Sequence, residues 1–472
     1  MNRLIVVSNR VSAPKARASE ATLGGLASAL SSALRKSGGM WFGWSGGVTQ
    51  EAFSGEIAVQ RNEGVTFATI QLEEQDVEEY YDGYANRTLW PLFHYRVDLA
   101  EFDRHFGEGY ERVNLRFAET LAPMVEAEDL IWVHDYHLIP LGQQLRRAGV
   151  RNKIGFFLHI PWPPHGLMTA LPFHRRLVRS MLEYDLIGFQ TRESLESFIL
   201  YLSEELGIVV EGEVADIDGR SVRLGAFPIG IDANEVRQLL ELDDAKEAFE
   251  TLHRVARGRK TLIGVDRLDY SKGIVERFAG YRAFLEANPQ WIREVFLLQV
   301  APLSREDLDT YARMRAELDE LSGRINGAFA HVDWVPIHYV NQSYPRDGLM
   351  GLYRASDAAL VTPLRDGMNL VSKEYVAAQD PNDPGVLILS RFAGAAEQLT
   401  SAILVNPHSR EDLSEAIRCA LTMPVAERRD RWEKMMESVE REDVHAWTKS
   451  FLEALGGTGG DGHAKPALTL VS

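Results

Sequence analysis

Hydrophobic runs of strand length alternate with segments of helical period along most of the chain. After the first run, Leu26, Leu30 and Leu34 recur at the spacing of one helix face. Alternation of this kind is typical of βαβ units, in which a parallel sheet is covered by helices on both faces. It therefore predicts an α/β fold. The apolar runs of this first half are 4–7, 129–135, 154–160 and 185–191.

The pattern changes at 209–229, where Asp218 and Gly219 lie at the turn of a predicted hairpin. The alternation then restarts, which predicts a second doubly wound half joined to the first near 230–234. Two amphipathic helices follow, over 425–441 and 445–455. The apolar runs of the second half are 260–268, 294–301, 358–363 and 385–390.

We therefore predict two Rossmann-like domains that face a central cleft. The first covers 1–232 and the second covers 233–440. A helix over 441–455 is expected to return to the first domain. The Gly-rich segment 456–472 is expected to be disordered.

Composition restricts the classes of partner. The net charge is −17, which argues against nucleic acid or an anionic membrane as the main partner. The single cysteine cannot form an internal disulfide. The apolar run 4–7 is too short for a signal peptide, and no run reaches the roughly 18 apolar residues of a membrane span. We expect a cytoplasmic protein.

Ligands of open parallel sheets bind beyond the carboxyl ends of the strands, so residues at those ends are the candidates. Arg10 follows the first strand, and Gly24 and Gly25 open the next helix. Two glycines at a helix N-terminus let an anion approach free N–H groups. The alternative is a tight loop without a ligand.

A second basic candidate follows the run 260–268. Arg267 and Lys272 bring two positive charges to a helix N-terminus, which suits a diphosphate. The alternative is that both charges only pair with Asp266 and Asp269.

Histidines and a carboxylate end two strands of the first half. Asp135 could accept hydrogen bonds from sugar hydroxyls, and His159 would point into the cleft. The spacing of His134 and His137 can indicate a metal, but structural hydrogen bonding is the favoured interpretation.

The segment after 358–363 carries Asp366 and Glu374, eight positions apart, which suits hydrogen bonding to sugar or ribose hydroxyls. Gly367 permits close backbone approach and Asn369 can cap a helix. A capped surface helix would give the same pattern. Aromatic residues also suggest a carbohydrate site, although Trp44 and Tyr95 are assigned to the core; the set is Trp41, Trp44, Tyr81, Trp90 and Tyr95.

Long strings of the chain resemble, in order, the alpha,alpha-trehalose-phosphate synthases, a family of retaining glycosyltransferases with the two-domain GT-B fold. The resemblance spans about 5–455. The matching strings are SNR (8–10), GGLA (24–27), WFGWSG (41–46), YYDGYANRTLWPLFHYR (80–96), IWVHDYHLIP (131–140), GFFLHIPWP (155–163), GFQT (188–191), RLDYSKG (267–273), RINGAF (324–329), TPLRDGMNLVSKEYVAAQDP (362–381) and LSRFAGA (389–395).

The resemblance implies transfer of glucose from a nucleotide-glucose, UDP-glucose first among them, to glucose 6-phosphate, giving alpha,alpha-trehalose 6-phosphate. The first domain would bind the acceptor and the second the donor. The acceptor would contact Arg10, Tyr81, Asp135 and Arg305. The donor would contact Gly24, Gly25, Arg267, Lys272, Tyr344, Asp366, the backbone of Leu370, Val371, Ser372 and Lys373, and Glu374 at the ribose. The catalytic set would be His159 and Asp366, which would grip the donor sugar, and Arg267 and Lys272, which would hold the diphosphate.

Trp90 and Pro140 match positions that the family links to the choice of acceptor anomer. No cofactor is expected, and Arg267 and Lys272 at the diphosphate, without a short paired-Asp motif, predict that the chemistry needs no metal. Relatives with the same framework leave two alternatives. One is a synthase that uses another acceptor, such as glycerol 3-phosphate. The other is a silent nucleotide-sugar-binding subunit, which need not keep the full charged set of Arg267, Lys272, Asp366 and Glu374. The nucleotide base and a homo-oligomeric state stay open.

Overall fold

The computed structural model of this 472-residue chain describes residues 3–11, 30, 34–35, 38–53, 55–217, 219–303 and 309–457. Within these residues two sheets, one in each half of the chain, are packed between helices. The strands are β1 (Leu4–Arg10), β2 (Met40–Thr49), β3 (Ala58–Asn62), β4 (Val65–Glu73), β5 (Leu130–His134), β6 (Ile154–Leu158), β7 (Leu186–Phe189), β8 (Val210–Glu211), β9 (Val214–Ile217), β10 (Arg220–Ala226), β11 (Lys260–Val265), β12 (Val295–Val300), β13 (Ile337–Val340), β14 (Ala358–Val361), β15 (Val386–Ser390) and β16 (Ile403–Val405).

The first helical segment, α1, is composite: it runs through Glu74–Asp76, a π-helix over Val77–Leu89, and Trp90–Phe93. Short 3₁₀ turns occur at Val97–Leu99, Ala122–Met124, Tyr136–Leu138, Tyr270–Lys272, Pro289–Trp291 and Gly394–Glu397. The other helices are α2 (Arg104–Leu121), α3 (Leu141–Arg147), α4 (His165–Met168), α5 (His174–Met181), α6 (Arg192–Leu206), α7 (Ala233–Leu240), α8 (Asp243–Ala256), α9 (Ile274–Ala287), α10 (Asp309–Phe329), α11 (Arg346–Arg354), α12 (Leu370–Ala378), α13 (Arg410–Thr422), α14 (Val425–Arg441) and α15 (Val444–Gly456).

The N-terminal sheet has the order β3-β4-β2-β1-β5-β6-β7-β10-β9-β8. Its central pairs are parallel, while β3 and the predicted hairpin β9–β10 are antiparallel at the two edges. The C-terminal sheet, β13-β12-β11-β14-β15-β16, is parallel throughout. Its strands are nearly continuous apolar runs because helices cover both faces. The predicted α/β class is confirmed.

The chain passes between the two halves twice. The first crossover follows β10 and leads to α7, and the second lies between α14 and α15. The crossovers touch each other, since a Cβ built on Gly230 would lie 2.1 Å from the carbonyl oxygen of Glu442. Glycine at position 230 is therefore required for this contact.

The last helix, α15, packs on the N-terminal sheet. The ring of Phe451 stacks on Trp132 of β5 at 4.5 Å between centroids. A Cβ on Gly155 or Gly188 would lie within 2.8 Å of the Phe451 ring, so these glycines make room for it. Gly456 ends this helix rather than beginning the tail, and Gly457 caps it in the left-handed region; 458–472 lie outside the described residues.

The hydrophobic pattern did not predict β2, β4 and the π-helix of α1. Within the described residues, no helix is both long and apolar enough to cross a membrane.

Candidate active site in the cleft between the two halves

Lys272 and Asp366 meet at the carboxyl edge of the C-terminal sheet. Lys272 lies in the turn after β11, which Asp269 fixes by accepting a hydrogen bond from the Ser271 N–H at 3.0 Å. Asp366 follows β14. The Lys272 Nζ donates to Asp366 Oδ2 at 2.5 Å, and both side chains are only about an eighth exposed, at 13% and 14%. A cation and a carboxylate are thus held together at the mouth of the cleft.

The N-terminus of α12 opens beside this pair. Asn369 adopts a left-handed backbone with φ of 80°, and its side chain caps the helix by accepting from the Ser372 N–H at 3.3 Å. The same side chain donates to Asp366 Oδ2 at 3.1 Å. The first N–H groups of the helix, at Leu370 and Val371, have no intrahelical acceptor and favour an anion.

Electrostatics keep Asp366 ionised. Burial opposes its charge, but the Lys272 ammonium outweighs burial and holds the pKa of Asp366 below its usual value. Beneath the pair, buried Arg277 donates to Asp266 Oδ2 and to Gln299 Oε1, both at 2.8 Å. Asp266 is therefore hydrogen-bonded to Arg277 below the site, whereas the hydrogen-bond partner of Lys272 is Asp366.

In the N-terminal half, Arg10 lies at the end of β1. Its guanidinium lies 4.8 Å from the centre of the Trp44 ring. A Cβ on Gly46 would lie 2.0 Å from this guanidinium, so glycine leaves the space that Arg10 fills. Tyr81 stands against Trp44 at 5.5 Å and stacks on His137 at 5.9 Å. The structure thus brings Arg10 and Tyr81 to one place, with the guanidinium exposed.

Asp135 and His159 end neighbouring strands of the N-terminal sheet. Asp135 has φ of 75°, and its Oδ1 accepts from the His159 N–H at 3.2 Å. Both ring nitrogens of His159 have protein partners: Nε2 lies 3.0 Å from His134 Nδ1, and Nδ1 lies 3.2 Å from Gln190 Nε2. Burial lowers the pKa of His159 to about 3. The ring is neutral near pH 7.

The two halves approach each other directly at this point. A Cβ on Gly367 would lie 1.9 Å from the carbonyl oxygen of His159. The sequence predicted that backbone could approach Gly367 closely, and the backbone that does so is that of His159 in the N-terminal half. On the same interface the exposed Arg267 guanidinium lies 5.8 Å from the Trp90 ring.

Arg365 of the C-terminal half contacts two residues of the N-terminal half. Its guanidinium donates to the Tyr95 hydroxyl at 2.8 Å and forms an ion pair with Glu193. Tyr95 is half-buried and lies at the interface. Its assignment to the core is therefore wrong, whereas Trp44 is buried as predicted.

The side chains of Lys373 and Glu374 are held by protein partners. Lys373 is buried and donates to the Ile229 carbonyl and to Gln398 Oε1, each at 2.6 Å, so its side chain is held within the protein. Glu374 is paired with Arg346 at 3.4 Å. Burial raises the pKa of Glu374 and lowers the pKa of Lys373 to about 7.

The other predicted residues are distributed as follows. Tyr344 is 38% exposed on the C-terminal half, and Pro140 is buried at the start of α3. Trp90 packs on Tyr136 at 5.7 Å. Gly24, Gly25 and Arg305 lie outside the described residues.

Sequence reasoning missed four residues of the site: His94, Gln190, Arg346 and Arg365. Burial lowers the pKa of His94 to about 4, and its Nδ1 lies 2.7 Å from the Trp90 carbonyl oxygen. His94, Gln190 and Arg365 lie inside three of the matching strings, so the strings were their only available signal. Arg346 gave none, because its partners are distant in sequence.

Comparison with known proteins places this geometry in a family. A sequence profile of glycosyltransferase family 20 matches residues 2–456. The trehalose-6-phosphate synthase of Sinorhizobium fredii (strain NBRC 101917 / NGR234) is 47% identical over 461 residues, which cover 96% of this chain and 98% of that protein.

Two solved structures show the same fold. The crystal structure of an alpha,alpha-trehalose-phosphate synthase (UDP-forming) from Burkholderia xenovorans in complex with glucose-6-phosphate has a TM-score of 0.93 and 46% identity, covering 97% of this chain and 100% of that chain. The E. coli protein bound with UDP-2-fluoro glucose has a TM-score of 0.91 and 42% identity, covering 96% and 99%. The predicted GT-B architecture is confirmed.

Proposed function

The chain belongs to glycosyltransferase family 20, and on that premise we propose that it transfers glucose from UDP-glucose to glucose 6-phosphate. The products are UDP and alpha,alpha-trehalose 6-phosphate, with the donor's anomeric configuration retained. Similar proteins bear the name trehalose-6-phosphate synthase. Of the two structures described above, one holds glucose-6-phosphate and the other holds UDP-2-fluoro glucose. The first ligand is the acceptor proposed here, and the second is an analogue of the proposed donor.

One observation carries the proposal: Lys272 lies beside the N-terminus of α12, at the edge of the sheet that faces His159. A diphosphate bound there meets an ammonium group and free backbone N–H groups. Such preorganised charges stabilise a leaving group without reorganisation during the reaction. The exposed Arg267 guanidinium adds a second cation.

The transfer breaks the bond between the glucose C1 and the diphosphate oxygen, and the bonding electrons go to that oxygen. The negative charge therefore grows where Lys272, Arg267 and the α12 N-terminus are placed, so these groups act more strongly in the transition state than on the bound donor. A hydroxyl of the acceptor forms the new bond to C1 from the same face, and its proton passes to the leaving phosphate. Attack from that face gives retention.

Asp366 holds the donor sugar in this proposal. Its carboxylate is ionised and already engaged with Lys272 and Asn369. A carboxylate so paired is a weak nucleophile but a good acceptor for sugar hydroxyls. We therefore assign Asp366 to orientation of the sugar.

In this proposal Arg10 binds the phosphate of the acceptor and Asp135 binds its sugar hydroxyls. Arg10 is supported by Trp44 and is exposed for a phosphate, which guanidinium binds through paired hydrogen bonds. Asp135 is fixed at the strand end by the His159 N–H and can accept from the sugar hydroxyls. Because Lys272 and Arg267 supply positive charge at the diphosphate, we also propose that the chemistry needs no divalent metal.

A substrate panel tests the proposal. Purified protein is offered UDP-, GDP- and ADP-glucose with glucose 6-phosphate, glycerol 3-phosphate or glucose, and the product is identified by NMR. We expect alpha,alpha-trehalose 6-phosphate from UDP-glucose. Lys272→Met controls for contaminating activity, and Lys434→Met, at an exposed lysine of α14, is its matched control.

A product formed only with glycerol 3-phosphate would contradict the acceptor, and absence of any product would contradict enzymatic function. The expected cytoplasmic location and a homo-oligomeric state stay predictions.

A further inference from the structure

Ile229 of the first crossover is hydrogen-bonded on both sides. Its N–H donates to Gln190 Oε1 at 3.0 Å, and its carbonyl accepts from Lys373 Nζ at 2.6 Å. Gln190 follows β7 of the N-terminal half, and Lys373 belongs to α12, at whose N-terminus the proposed function places the donor. All three residues are buried. The crossover therefore connects the end of an N-terminal strand to the donor-side helix.

The bond from Ile229 determines which way the Gln190 amide faces. A backbone N–H can only donate, so the Gln190 atom beside it must be the carbonyl oxygen. The amide NH₂ then faces His159 Nδ1 at 3.2 Å. Because an NH₂ group can only donate, Nδ1 must be an acceptor and carries no proton.

The proton of neutral His159 is therefore on Nε2. Nε2 lies 3.0 Å from His134 Nδ1, which accepts it. His134 is surrounded by aromatic rings, with Trp132 at 4.6 Å and Trp447 at 6.2 Å. Burial lowers the pKa of His134 well below its usual value, so a second proton is disfavoured there too. The chain of hydrogen bonds has one direction only.

We propose that Gln190 is a positioning residue for His159, which fixes the tautomer and the orientation of its ring, and that Ile229 and Lys373 tie this arrangement to the donor-side helix. The fixed ring belongs to His159, which follows β6. The carbonyl oxygen of the same residue lies against Gly367, the neighbour of Asp366. Nδ1 accepts from Gln190 and the Nε2 proton is donated to His134, so neither ring nitrogen is free to exchange a proton with the substrates. His159 therefore acts as an oriented neutral ring rather than as an acid or base.

The wild-type protein already provides a test. The ¹⁵N NMR spectrum of protein labelled at histidine reports which ring nitrogen carries the proton, and His159→Asn identifies the His159 signals by difference. We expect the Nε2–H tautomer at neutral pH. An Nδ1–H tautomer or a doubly protonated ring would overturn the proposal, and no substituted Gln190 is needed for this result.

Gln190→Glu tests the mechanism of fixation. Glutamate has the same shape and still accepts from the Ile229 N–H, but a carboxylate cannot donate to Nδ1. We expect the His159 proton to move to Nδ1, and kcat to fall by about 10- to 100-fold with KM for UDP-glucose within about threefold, as for a misplaced catalytic geometry. Gln290→Glu, at an exposed glutamine distant from the cleft, is the matched control and should change neither value.

Lys373→Met tests the other side of Ile229. If the crossover couples the two sides, the combined loss of kcat in Gln190→Glu with Lys373→Met will be smaller than the product of the single losses by at least about threefold. Strictly multiplicative losses would overturn the coupling to α12. An unchanged tautomer and kcat in Gln190→Glu would overturn the role of Gln190.

The kinetic part of this proposal rests on the proposed function, whereas the tautomer does not. If the wild-type protein formed no trehalose 6-phosphate while the NMR results were as expected, the proposed function would fail and the fixation of His159 would stand. Gln190→Met, which neither donates nor accepts, replaces Gln190→Glu if that variant does not fold, and the expected result is a mixture of tautomers.

Discussion

Lys272 is the residue whose removal should reveal how the leaving group is stabilised. Lys272→Met keeps most of the apolar stem and removes the ammonium that lies 2.5 Å from Asp366. We expect kcat to fall more than the affinity for UDP-glucose, because the charge on the leaving oxygen grows only as the bond breaks.

The magnitude follows from the position of the ammonium. The site is partly buried, so an effective dielectric constant of about 20 applies, and unit charges about 4 Å apart interact by roughly 4 kcal/mol. Charge that is half developed in the transition state is then worth about 2 kcal/mol, which is about 30-fold in kcat. Full development gives about 4 kcal/mol, or nearly 1,000-fold, which matches losses of single preorganised donors in other enzymes.

The substitution also leaves Asp366 without its cation. Removing one partner of a buried pair costs up to about 3–5 kcal/mol of stability, although the Asn369 amide still donates to the carboxylate. The melting temperature should therefore fall, and rates must be measured well below it. Lys272→Arg restores a cation and should recover part of kcat.

The assay is steady-state kinetics with UDP-glucose varied at saturating glucose 6-phosphate, supported by calorimetric binding of UDP. Lys434→Met, at a lysine that is 61% exposed, controls for loss of a positive charge as such. A raised KM with unchanged kcat would refute the reasoning, since Lys272 would then only anchor the ground-state donor.

Four further predictions follow from the same site. Activity should survive excess chelator, and a loss that Mg²⁺ or Mn²⁺ restores would contradict metal-independent chemistry. Arg10→Ala should lower kcat/KM for glucose 6-phosphate by about 10- to 150-fold, the cost of one charged hydrogen bond, and leave the low activity on glucose unchanged. The family resemblance predicts the same for Arg305→Ala. If the ratio of kcat/KM for glucose 6-phosphate to that for glucose stays unchanged in a variant, the phosphate-binding role of that arginine is refuted. Gly367→Ala should lower kcat at least about 100-fold while UDP still binds, because its Cβ would lie 1.9 Å from the His159 carbonyl oxygen; kinetics and calorimetry on one preparation distinguish this from misfolding. The pKa of Lys373 is about 7 in the folded protein, so the unfolded chain binds one more proton between about pH 7 and the usual lysine value; stability should rise with pH across that window by at most about 1.4 kcal/mol per unit, and urea unfolding of Lys373→Met should lack this slope.

The hydrophobic pattern predicted those strands that are buried on both faces, because such strands are unbroken runs of apolar residues. Runs such as 4–7 and 260–268 coincide with β1 and β11 for this reason. The pattern did not predict β2, whose second half carries glycines and exposed positions. It also did not predict the π-helix, because several of its buried positions are Gly83, Asn86 and Thr88 rather than large apolar residues, so no apolar stripe marks it.

For the site, the rule that ligands bind at strand ends identified Arg10, Lys272 and Asp366 from the sequence. It did not identify Gln190 or Arg365, whose partners are distant along the chain. Neither residue has a distinctive role until the fold brings Ile229 beside the first and Tyr95 beside the second.

The contact between the two crossovers limits how the enzyme can open. Gly230 lies against Glu442, so the two crossovers run side by side. They can act as a single hinge about which the two halves rotate. Sliding one half along the other would stretch one passage and compress the second. The contact of Gly367 with the His159 carbonyl must therefore part together with the rest of the cleft. We therefore expect the donor and acceptor sites to open to water in one event, so that protection of UDP-glucose from hydrolysis depends on the same closure that commits the acceptor.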